Sequence, residues 1–248
     1  ENAHSSVAGT RGLTDAGLDP EQVASALDTA ELETVTLDPA ADERITRGTI
    51  AFIGALVLYG QLLGYGFWVA LGVVEEKSSR VVEVLLSAIP ARALLAGKVL
   101  GIGVLGLAQL FAIAAVSVAA AALVGSIAFE ASMLQPILLV LGWFVLGYIA
   151  YACLSAAAAA RVSRQEELQN ATTPLTMLAM VSFFASFFVF FNTSGTGPLV
   201  VSVIPPVSAL AMPIRMARGD AALWDIGLAV VLMLGLIAAL IVVSGRVY

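Results

Sequence analysis

Five stretches of this chain, Thr49–Val74, Val99–Val124, Met133–Ala160, Ala171–Phe191 and Ile226–Ser244, contain no Asp, Glu, Lys, Arg or His. Each is about as long as the ~20 predominantly apolar residues a helix needs to cross a bilayer. Water cannot satisfy backbone groups in hydrocarbon, so a spanning segment must close its hydrogen bonds internally, as a helix does. The composition agrees: 60% of the 248 residues are hydrophobic and 12% are charged, against about 25% charged in soluble domains. The prediction is an all-α polytopic membrane protein.

Charge divides the chain at about residue 48. Residues 1–48 carry ten acidic side chains against three arginines, and the remainder eight against nine basic ones. The acidic piece argues against nucleic acid or an anionic lipid surface as its partner. Within it, "LDPEQVASALDTAEL" predicts a short helix with Asp19 as N-cap and Pro20 in the first turn. "LETVTLD" alternates like a strand. Residues 1–48 are therefore read as the C-terminal part of a small α/β external domain, and 49–248 as the transmembrane domain.

Basic residues set the orientation. The connection 75–98 carries Lys77, Arg80, Arg92 and Lys98, and 161–170 carries Arg161 and Arg164, whereas 125–132 carries none. The first two are placed in the cytoplasm and the third outside. Alternation then puts residues 1–48 and 192–225 outside too, although Arg215 and Arg218 run against the rule. An external start to five spans implies a sixth span upstream. "SRQE" at 163–166 predicts a capping box opening the fourth span, which Pro174 would kink. Residues 195–221 are too apolar for a free loop, and Pro198, Pro205, Pro206 and Pro213 break them into pieces too short to span. A re-entrant external segment is expected, with Trp224 as an interfacial anchor.

The charged segment "VVEEKSSRVVEVLLSAIP", residues 73–90, interrupts the apolar pattern. On a helix beginning near Glu75, the residues Glu76, Arg80, Glu83 and Ser87 form one polar stripe, with Val81, Val82, Leu85, Leu86 and Ile89 opposite. Glu76 would pair with Arg80, and Arg80 with Glu83. Such an amphipathic helix lies on a membrane surface, either as an anchor or as a lever receiving movement from a soluble partner.

"EEKSSRVVEVLLSAIPARALLAGKVLG" resembles the cytoplasmic segment after the second span of type-two ABC transporter permeases, particularly the sodium-efflux-like branch. "IPPVSALAMPIRMARG" resembles the proline-rich element before that family's last span. The likeness runs from about residue 45 to the end. It implies a six-span permease with a large external domain after the first span, and a coupling helix at 75–90. Glu75, Glu76, Lys77, Arg80 and Glu83 would then belong to the element meeting an ABC ATPase subunit, which would hold the ATP and Mg. A second permease chain, identical or related, would complete the path. Ala-, Val-, Gly- and Arg-rich usage suggests a high-GC bacterium, and the resemblance then implies its plasma membrane as the location.

No catalytic, metal or cofactor site is expected on this chain. "GIGVLG" at 101–106 matches a dinucleotide fingerprint, but it lies inside a span with no strand before it. "AGKV" at 96–99 lacks the first glycine of a phosphate loop and the hydroxyl residue after its lysine. Helix packing through Gly60/Gly64 and Gly97/Gly101 is the simpler expectation. Cys153, the one cysteine, allows no internal disulfide, and His4, the one histidine, has no metal-binding companion. Gln61 and Gln109 are mid-span amides that either bond between helices or line a path. Phe184, Phe187 and Phe188 belong to a phenylalanine-rich helix that either packs or walls a route for a hydrophobic or amphiphilic compound. Efflux of such a compound, or of sodium, is the expected function. The competing classes are an ion-coupled secondary transporter, disfavoured by spans without ionisable residues, and a membrane sensor or assembly protein.

Overall fold

A computed structural model describes residues 40–78, 91–124, 133–192 and 195–247. The expected helix and strand within 1–39, the loop 125–132 and the charged residues 79–90 lie outside the described residues. Seven helices occur among those described: α1 Ala41–Ser78, α2 Ala91–Val124, α3 Leu134–Ala159, α4 Gln165–Phe191, α5 Thr196–Val203, α6 Ser208–Arg218 and α7 Leu223–Val247. Five of them are long and apolar enough to cross a membrane, and these match the five uncharged stretches.

The helices begin where local chemistry favours it. α1 follows Pro39 and carries Asp42 and Glu43 in its first turn, where negative charge meets the positive end of the helix dipole. Glu43 also pairs with Arg47 one turn on. With 38 residues α1 is about 57 Å long, well beyond the ~30 Å hydrocarbon thickness. It therefore extends past the uncharged stretch at both ends. Glu75 and Glu76 consequently sit in its last turns rather than opening a separate helix.

α4 corrects one expectation. Its N-cap is Arg164 in an extended conformation, with no side-chain cap hydrogen bond, so Ser163 and Glu166 form no capping box. Glu166 and Glu167 instead supply negative charge in the first turn. The helix continues through Pro174. Around this proline the hydroxyls of Thr172, Thr173 and Thr176 donate to carbonyls one turn back.

α1 is the axis of the bundle, packed against α3 most extensively and also against α2, α4 and α6. Leu58, Leu62, Val69 and Val73 of α1 meet Phe144, Tyr148 and Tyr151 of α3 in the main core. Polar tips of aromatic residues tie the helices together. Tyr148 donates to the Val99 carbonyl of α2 at 2.7 Å, and Tyr151 shares a 3.2 Å hydrogen bond with Ser182 of α4. In hydrocarbon such groups need protein partners, because water is not available.

α5 and α6, too short to span, are joined at Pro205–Pro206 by a cis peptide. α6 is buried along almost its whole length, Leu210, Met212, Pro213 and Ile214 included, and packs on α1, α3, α4 and α5. Gly219 ends it in the left-handed region at φ 79°. Its N–H and that of Asp220 donate back to Met216 and Arg215, a turn that glycine adopts without steric cost.

The glycine pairs expected to pack helices meet no neighbouring helix among the described residues. A Cβ placed on Gly60, Gly64, Gly97 or Gly101 would meet nothing within 4 Å. The tight approaches lie elsewhere: a Cβ on Gly147 would come 2.8 Å from that of Ala209, and one on Gly106 would come 2.8 Å from the Phe144 ring.

Candidate functional site

Three clusters of polar side chains lie along α1. At one end Lys98 of α2 forms an ion pair with Glu76 and donates to the Gly72 carbonyl at 2.9 Å. A Cβ on Gly72 would stand 2.6 Å from the Lys98 ammonium nitrogen, so the glycine is what lets the lysine stem cross α1. The pair joins the two helices that flank the charged segment. Glu76 was expected to meet Arg80, and the structure gives it Lys98 as a partner. Arg80 and Glu83 lie outside the described residues, as does the side chain of Lys77; Glu75 is exposed.

Gln61 and Gln109 mark the middle. The Tyr65 hydroxyl of α1 donates to the Gln109 side-chain oxygen of α2, an interhelical bond of the kind expected. Gln61 differs: it is 8% exposed, and neither of its amide atoms has a hydrogen-bond partner among the described residues.

The phenylalanines separate. Phe187 packs on Phe52 of α1, with ring centroids 4.9 Å apart, and on Phe183. Phe184 and Phe188 are 62% and 43% exposed; Phe184 meets the Phe183 ring, and Phe188 lies against Gly197 of α5. The three therefore share no common lining.

The third cluster lies at the opposite end of α1, about 36 Å from Gly72 by helix rise, where Gly48 abuts the Arg218 side chain. Arg215, expected with Pro205, Pro206 and Pro213 in the external re-entrant segment, is buried. Its guanidinium donates to Ser202 of α5 at 2.8 Å, to the Asp220 carbonyl at 2.8 Å and to the Asp225 carboxylate of α7 at 3.1 Å. Asp225 also accepts from the Ala222 N–H. One side chain thus joins α5, α6, the turn after it and α7. Its charge is balanced by Asp225. Arg218 donates to the Phe190 carbonyl and lies 4.5 Å over that ring. Burial pulls its pKa below the usual arginine value, while Asp220 works the other way.

Lys98, Asp225, Ser202 and Tyr65 were not singled out from the sequence as site residues. Only the lysine left a trace there, as a lone base at the edge of an uncharged stretch.

The family model described as "ABC-2 family transporter protein" matches residues 3–246. The chain belongs to the ABC-2 transporter family. The match reaches back through the acidic N-terminal segment, further than the residues that carry the sequence resemblance. With five helices of spanning length, this ABC-2 chain is a multi-pass membrane protein. One relative is the "Uncharacterized protein YhaP" of Bacillus subtilis (strain 168), 28% identical over 209 residues, which are 80% of this chain and 50% of that protein. The ABC-2 chain therefore spans about half the length of the curated relative it matches. No solved structure matches it.

Proposed function

We propose that this chain is the membrane-spanning permease part of an ATP-driven exporter. ABC ATPase subunits would dock on the charged segment between α1 and α2, and a second permease chain would complete the path. In this reading the α1–α2 connection faces the cytoplasm and the α5–α6 hairpin enters the membrane from outside. ATP binding draws the ATPases together, moves the two helices and favours the outward-facing state, because the nucleotide-bound ATPase binds that state better. The exported compound is hydrophobic or amphiphilic. Membership of the ABC-2 family carries the proposal, and the ion pair between Glu76 and Lys98 supports it by joining the helices on either side of the docking segment.

The test is ATPase stimulation in the assembled complex. Arg80→Ala with Glu83→Ala should lower stimulation of the ATPase subunits at least tenfold while leaving the amount of permease in the membrane unchanged. Adding Glu76→Gln should lower it further. Unchanged stimulation in the triple variant overturns the docking assignment.

A further inference from the structure

An apolar cleft of about 200 Å³ lies between α1, α2 and α3. Ile50, Gly54 and Val57 line it from α1, and Leu110, Ile113 and Ser117 from α2, with Val140 of α3 behind. No charged side chain is among its lining residues. An engineered apolar cavity of ~150 Å³ already holds benzene, so this one takes a substituted ring or a short branched chain.

Ile50, Gly54, Val57 and Gln61 stand at i, i+4, i+7 and i+11, one stripe of α1. Gln61 is not itself a lining residue; it stands on the same stripe one turn beyond Val57, and the tilt of helical side chains towards the helix N-terminus leans it back towards the cleft. On α2, Gln109 stands in the same way one turn before Ile113, and Ser117 one turn after it. The two amides thus mark the same end of the cleft, because α1 and α2 run in opposite directions. Gln109 is engaged by Tyr65. Gln61 is more than nine-tenths buried, and neither amide atom has a hydrogen-bond partner among the described residues. A buried amide without partners is destabilising, and native interiors pair the large majority of such side-chain groups. Gln61 is therefore the atom set most in need of a ligand.

We infer that this cleft binds an uncharged compound with an apolar body of roughly ring size. One group on it, a hydroxyl or an amide, both donates to and accepts from Gln61. A charged group is excluded because nothing in the lining would pair with it. As a binding site the cleft stands on its own geometry; as the site of the transported compound it rests on the exporter reading.

The probes are 4-pentylphenol and pentylbenzene, which share an apolar body and differ by one hydroxyl. Tritiated forms are measured by scintillation proximity on the full chain in lipid nanodiscs, with empty nanodiscs as the blank. The phenol should bind saturably and at least tenfold more tightly than pentylbenzene, since a buried amide discriminates strongly against an analogue that cannot pair with it. Gln61→Leu should abolish that preference while keeping pentylbenzene binding, and Ala114→Trp, which fills the cleft, should remove both. Gln61→Leu deletes an unpaired amide and should not lower the melting temperature, so loss of preference will not reflect misfolding. Three results would each overturn the inference: binding no greater than the blank, a preference that survives Gln61→Leu, or full binding by Ala114→Trp. Arg80→Ala with Glu83→Ala should leave probe binding unchanged, so failure of the docking assignment and failure of the cleft give different results.

Discussion

Arg215 shows what a single residue contributes here. Its guanidinium reaches three other elements at once, and with Asp225 it forms an ion pair in which both side chains are nine-tenths buried. Removing one member of such a pair leaves an uncompensated buried charge and costs about 3–5 kcal/mol. Arg215→Leu should therefore lower the melting temperature of the purified protein sharply. Arg215→Leu with Asp225→Leu should recover most of the loss, because two apolar side chains leave no orphan charge. Equal destabilisation by the single and double variants would show that the pair is not the source. Reading the sequence gave Arg215 a place in the external re-entrant segment but no partner. The partner was hidden because the left-handed turn at Gly219 brings α6 and α7 together, and glycine alone does not specify which side chains then meet.

At the scale of the element, helix ends were harder to read than helices. The uncharged stretches located five spanning helices because an apolar run of that length has few other ways to satisfy its backbone. Charge did not mark where those helices stopped, since a helix leaving the bilayer continues in water for as long as its residues permit. Ser163 was expected to cap α4 and does not, so Ser163→Ala should change stability by less than about 0.5 kcal/mol in denaturant unfolding. Gly72 has the opposite role. Gly72→Val would put methyl groups where the Lys98 stem passes, separating Lys98 from Glu76. The variant should unfold at a lower temperature than the wild type, and Lys98→Met in the same background should relieve part of the loss. The clash at Gly72 had no signature in the sequence, because it depends on which face of α2 approaches α1.

For the molecule as a whole, the proposed orientation can be checked with single cysteines in a Cys153→Ala background. Arg161 and Leu223 are both exposed, in the α3–α4 connection and at the start of α7 respectively. In intact cells a membrane-impermeant maleimide should label Leu223→Cys and should reach Arg161→Cys only after the membrane is opened. The reverse pattern would invert the molecule and place the charged segment outside. The five spanning helices among the described residues were legible because they depend only on hydropathy and length, both local properties. The polar clusters were not, since each combines residues from helices that are distant in sequence, and only the assembled bundle brings them together.

The Lys98–Glu76 pair has one mechanical corollary. Because it clasps α1 to α2 close to where the charged connection leaves one and enters the other, it resists separation of the two helices at that end. On the exporter reading they would turn as a yoke, and a stroke delivered at one end of α1 would arrive, some tens of ångströms away, beside Arg218.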